Sequence, residues 1–117
     1  MAGVHRMLTG IRDVAAVIPG VRVISSGISF LGQASPHVTA AAIKEGWFDF
    51  AGYGRETLAY PDCAREICEK GVLDPKKLCI TCGKCTEIMR TKGGTPGCVI
   101  HDGAVYMPIY KKQVLGK

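Results

Sequence analysis

The sequence predicts an α/β protein: one right-handed β-α-β unit within residues 21–53, followed by a loop-rich tail that carries cysteines. Three observations predict it. Val21 to Ser26 and Trp47 to Tyr53 are short apolar runs bounded by turn residues, the pattern of buried parallel strands. Between them, Val38 to Glu45 is alanine-rich and flanked by helix start and stop signals. Beyond residue 78, four cysteines stand in the pattern Cys-x2-Cys-x2-Cys-x12-Cys, which is ligand spacing rather than a disulfide frame.

In chain order, Val4, Met7, Leu8, Ile11, Val14, Ala15 and Ile18 recur at helical spacing, so the first segment is an amphipathic helix stopped by Pro19 and Gly20. Val21 to Ser26 is the first strand, ended by Gly27. Ser35 and Pro36 form an N-cap and first-turn pair for the helix that Gly46 closes. Trp47 to Tyr53 is the second strand. Two parallel strands leave open edges and an uncovered face, so this unit needs further strands from elsewhere. Pro61 to Lys70 is a helix with Gly71 as its stop, and Ala104 to Tyr110 reads as an extended segment.

The cysteines carry the chemistry. Cys79, Cys82 and Cys85 are spaced to wrap one corner of an iron–sulfur cubane while Cys98 returns from a distant loop. Gly83, Gly93, Gly94, Pro96 and Gly97 supply the tight turns that such a loop needs. Four thiolates also make a closed zinc site, usually from two separated Cys-x2-Cys knuckles, so a zinc-stabilised interaction module stands as an alternative. A small ferredoxin-like electron carrier is another. The formal charge is +5, and from Lys76 onward eight basic residues face two acidic ones, Glu87 and Asp102. A [4Fe-4S] core on four thiolates carries a net charge of about −2, which such cations offset. Nucleic acid is not expected as a partner, because only Tyr106 and Tyr110 are interleaved with these cations. No run approaches the roughly 20 apolar residues of a membrane span, no signal peptide is recognisable, and a reducing cytoplasmic setting is expected.

A second constellation lies at the strand ends: Ser25-Ser26-Gly27 after the first and Gly52-Tyr53-Gly54-Arg55 after the second. Glycine-exposed amides and the guanidinium of Arg55 could cradle a phosphate, or the glycines could simply make turns while Arg55 pairs with a carboxylate.

The run from Val23-Ile24-Ser25-Ser26-Gly27 through Gly46-Trp47-Phe48-Asp49-Phe50-Ala51-Gly52-Tyr53-Gly54-Arg55 to Tyr60-Pro61-Asp62 resembles the Old Yellow Enzyme family of NADH:flavin oxidoreductases. With the cysteine spacing, it is similar to the iron–sulfur branch of trimethylamine dehydrogenase and 2,4-dienoyl-CoA reductase. The resemblance implies that residues 1–60 are the last two βα units of a (β/α)8 TIM barrel that binds FMN. Residues 61–117 would be a helix and a [4Fe-4S]-binding extension. It further implies that Gly27, Gly54 and Arg55 hold the FMN phosphate, and that Cys79, Cys82, Cys85 and Cys98 ligate the cluster. Hydride from a nicotinamide cofactor or small-molecule substrate would pass through FMN, and single electrons through the cluster. Such a barrel takes about 250 residues. The chain would thus be a C-terminal portion without catalytic residues of its own or turnover alone, completed by the rest of a parent or by another chain.

Among the remaining residues, Cys63 and Cys68 are expected to be packed thiols, and His37 and His101 surface or supporting groups. Trp47 and Phe50 are expected in the core, and Asp49 as a cap or ion-pair partner.

Overall fold

A computed structural model describes residues 2–116. The first helix, α1 (Ala2–Val17), buries Val4 and Leu8. These are one turn apart and so share a face. Strands β1 (Ile24–Ser25) and β2 (Phe50–Ala51) pair in parallel, Ile24 opposite Phe50 and Ser25 opposite Ala51. Between them run a 3-10 segment, Ile28–Ala34, kinked at Gly32, and α2 (Ser35–Lys44). Pro36 sits in the first turn of α2, where its missing N–H leaves no partner unpaired. Short α3 (Glu56–Ala59) and α4 (Cys63–Lys70) follow, then α5 (Lys84–Met89) and α6 (Gly103–Gln113).

The expected portion of a TIM barrel does not form. Helices dominate, and the only sheet among the described residues has two strands of two residues each. Barrel strands are buried on both faces, yet Ile24 and Phe50 are 64% and 54% exposed. Each apolar run has only the other to pair with, so most of it remains loop. The chain is a small helical domain containing a minimal parallel ribbon, not the last two βα units of a barrel. A second correction concerns the tail. Ala104 to Tyr110 lies within α6 and is helical despite Pro108, because Tyr106 and Tyr110 find partners on neighbouring segments (below) that outweigh local preference.

Two apolar clusters hold the molecule. Val4, Leu8, Ile28, Ala42 and Phe48 form the first, with Trp47 packed against it. Phe48 fills the role expected of Phe50. Tyr60, Cys63 and Leu73 form the second. Asp49 pairs as expected: it accepts the Val23 N–H at 2.9 Å and meets Arg22 at 3.1 Å. The Val23 amide, and then Arg22, hold its carboxyl below the usual carboxylate range.

Candidate iron–sulfur site on four cysteines

The loop that leads to Cys79 is fastened from one side by a polar cluster. Tyr60 donates its hydroxyl hydrogen to Glu66, Lys77 Nζ donates to Glu66 Oε1 at 2.7 Å, and the Asp74 N–H donates to Tyr60 Oη at 3.2 Å. Lys77 and then Tyr60 lower the Glu66 carboxyl to about 2. Glu66 in turn raises Lys77. α4 thereby grips residues 74–77.

From the other side, Glu56 at the start of α3 is buried and its Oε1 accepts the Cys79 N–H at 2.9 Å. Beyond Cys79, Thr81 adopts φ 57°, a left-handed conformation unfavourable for a β-branched residue. The Thr81 N–H donates to Cys79 Sγ at 3.4 Å. Cys85 stands in the first turn of α5, after Gly83 has turned the chain. Cys98 follows Gly97, over which the Tyr106 ring lies so closely that no side chain would fit. The His101 N–H donates to Cys98 Sγ at 3.3 Å, and its Nε2 donates to the Leu78 carbonyl at 2.9 Å. One residue thus ties the loop of Cys98 to that of Cys79.

Cys79, Cys82, Cys85 and Cys98 line one cavity, together with Arg55, Leu58, Ile80 and Val99. Burial pushes the Cys79 thiol up, the Thr81 N–H opposes this, and the nearby charge of Glu56, then Cys85 and Cys98, adds to it. Amide N–H groups aimed at two of the sulfurs and apolar walls are the surroundings that suit a thiolate-bound cluster. Among the described residues, no three His, Cys, Asp or Glu side chains are arranged around a single ion position. A cubane takes one thiolate per iron, whereas zinc gathers all four on itself. Four thiols are the donor type for either group, but as arranged they are gathered around neither. The free space is about 20 Å³, room for roughly one water. Seating a cubane thus requires the thiols to turn outward; Cys82 is exposed and the other three are half-buried.

The residues assigned to FMN phosphate are not brought to one cavity. Arg55 is at the cysteines. Gly54 is exposed, and its carbonyl accepts from Thr57 N and Oγ1 at 3.0 and 2.7 Å. Gly27, at φ 70°, lines an apolar cavity of about 350 Å³ with Met7 and Phe30, and Met7 fills the space a side chain at Gly27 would need. Ser25 Oγ nearby is buried without a hydrogen-bond partner. Of the other thiols, Cys63 is buried and pushed up by that burial, whereas Cys68 is exposed and not packed. His37 is exposed.

Sequence reasoning missed Glu56 and the trio of Tyr60, Glu66 and Lys77. A carboxylate next to Arg55 in sequence gives no sign of being buried against an amide 23 residues away. Among the described residues, no helix is long and apolar enough to cross a membrane. Comparison of the chain with protein-family models, curated proteins and solved structures gives no match.

Proposed function

We propose that the chain holds a [4Fe-4S] cluster on Cys79, Cys82, Cys85 and Cys98 and serves as the electron-transfer part of an FMN-dependent oxidoreductase of the NADH:flavin type, in the cytoplasm. The observation that carries this is the convergence of four cysteines, spread over residues 79–98, on one apolar-walled cavity. Bound there, the cluster supplies one-electron chemistry. The protein's part is positional: Glu56 and His101 fix the loops of Cys79 and Cys98, while the Thr81 and His101 amides face the sulfurs. The flavin context rests on the resemblance of the Gly46–Arg55 run. Of the residues it assigns to FMN, Arg55 stands at the cysteine cavity. A nicotinamide or small-molecule substrate would be handled by parts outside this chain.

The size of the cavity favours a second reading, a zinc-stabilised module: a single ion fits the room present once the thiols draw together around it. Anaerobic purification with visible spectroscopy and iron, sulfide and zinc analysis separates the two. About four iron and four sulfide per chain are expected, with broad thiolate-to-iron absorption. Cys85→Ser should abolish or remodel that spectrum and Cys68→Ser should leave it intact. A colourless protein with about one zinc would replace the cluster reading with the zinc one.

A further inference from the structure

The open face of the two-stranded sheet is continuous with an apolar side of α1. Ile24 and Phe50 are register partners and therefore stand on the same face, whereas on the opposite face Ser25 is buried and Ala51 packs against the first apolar cluster. Ile24 shares a hollow of about 410 Å³ with Met7, Ile11 and Val14 of α1. Met7 also lines the cavity of about 350 Å³ beside Gly27 and Phe30, so the two hollows join into one surface. Val14 and Phe30 stand on it at 56% and 60% exposure, and no charged side chain lines either hollow. A continuous apolar surface of this kind marks a contact site.

Charge, area and shape say what covers it. The charges that border the surface are paired within the chain: Arg12 meets Asp13 at 2.9 Å and Arg22 meets Asp49 at 3.1 Å. Residues 1–75 carry seven basic and eight acidic side chains. This part of the molecule therefore draws no partner of one sign and does not repel a copy of itself. The chain exposes roughly 1,300 Å² more than is usual for its mass, and a standard interface takes about 800 Å² from each partner. Phe30 is exposed beside a hollow on its own face. A two-fold axis through that face sets each Phe30 over the hollow of the other copy, the reciprocal exchange that an isologous contact requires.

We propose that this surface, from Phe30 across Met7 and Val14 to Ile24 and Phe50, joins two copies of the chain in a symmetric dimer. The contact covers the bare face of the β1–β2 ribbon and is independent of what the cysteines bind.

The test is the mass of the full chain under reducing conditions, by sedimentation velocity and light scattering from roughly 1 to 200 µM, where an interface of this size is expected to form. A dimer should dissociate to monomer towards the low end. Because the contact is apolar, the dimer should be no weaker at about 500 mM salt than at 50 mM. Val14→Lys, Ile24→Lys and Phe30→Glu replace exposed side chains, and each should weaken the dimer about tenfold or more, with far-ultraviolet circular dichroism unchanged. Phe30→Leu should keep most of the affinity, and Val72→Gln, exposed but outside the surface, should keep all of it. Should one charged variant misfold, the other two still read the contact. A monomer at every concentration would overturn the proposal and leave the face to a different chain. Masses that climb past the dimer, a dimer lost at high salt, or one as tight in the folded charged variants as in the native chain would overturn it as well.

Discussion

Glu56 is the residue on which Cys79 depends most directly, because its buried carboxylate occupies the N–H of that cysteine. Glu56→Ala leaves a buried amide unpaired, a loss of about 1–3 kcal/mol. Urea denaturation should record that loss, and if the proposed cluster is loaded, the iron retained after desalting should fall. Glu56→Gln keeps an acceptor and should recover most of both, which separates a hydrogen-bond role from a packing role. Glu66 makes a pH prediction. Its carboxyl is lowered to about 2 by Lys77 and Tyr60. A depressed carboxylate stabilises the fold fully above its unfolded value of about 4.3 and loses that contribution as pH falls towards 2. Lys77 works in the opposite sense: raised by Glu66, it contributes below its unfolded value and loses the contribution as pH rises through the folded one. Melting temperature should therefore fall between pH about 4 and 2 in the native chain. In Glu66→Gln it should start lower at neutral pH and fall less over that window; an equally steep acid limb in the variant would assign the loss to other carboxylates.

At the scale of elements, α6 is seated at its first turns by the Tyr106 ring over Gly97 and further along by Tyr110 on Glu87. Gly97→Ala adds a methyl group where the ring lies, so α6 must shift, and overpacking of this kind costs about 1–3 kcal/mol. Near-ultraviolet circular dichroism should lose tyrosine signal and Cys98 should react faster with thiol reagents; unchanged reactivity would mean that α6 does not hold the Cys98 loop. This contact also explains what the sequence conceals. α1, α2 and α4 were legible because Pro19, Pro36 and Gly71 punctuate periodic apolar runs. α6 was not, since Val105, Tyr106 and Pro108 oppose a helix locally and its support comes from Gly97 and Glu87, distant in sequence. The strands illustrate the reverse error. Val21 to Ser26 and Trp47 to Tyr53 have strand composition, but composition does not reveal how many partners a strand has, and here each pairs over two residues. The four ligand candidates were legible because their spacing is itself the signal, whereas Glu56 and Glu66 depend on contacts that no local pattern encodes.

The whole molecule is extended for its size. Its radius of gyration is 16.1 Å, against about 13 Å for a compact chain of this length. It exposes 7479 Å², where about 6,200 Å² is usual for its mass. Its apolar contacts are divided between a cluster on α1 and α2 and a smaller one around Tyr60. Beyond Leu78, the buried apolar side chains are Ile88 and Val99. Residues 79–113 therefore have little core of their own, and a ligand that joins Cys79, Cys82, Cys85 and Cys98 would close this region onto the rest. Binding to the folded state alone stabilises by mass action, so if the proposed cluster is bound, its removal should loosen this region first. Hydrogen exchange before and after cluster removal should show protection lost across α5, α6 and residues 79–83, with α1 and α2 little changed. Protection lost evenly over the chain would mean that both clusters and the cysteine region unfold as one unit. No change at all would mean that the cysteines hold the loop without help from a metal.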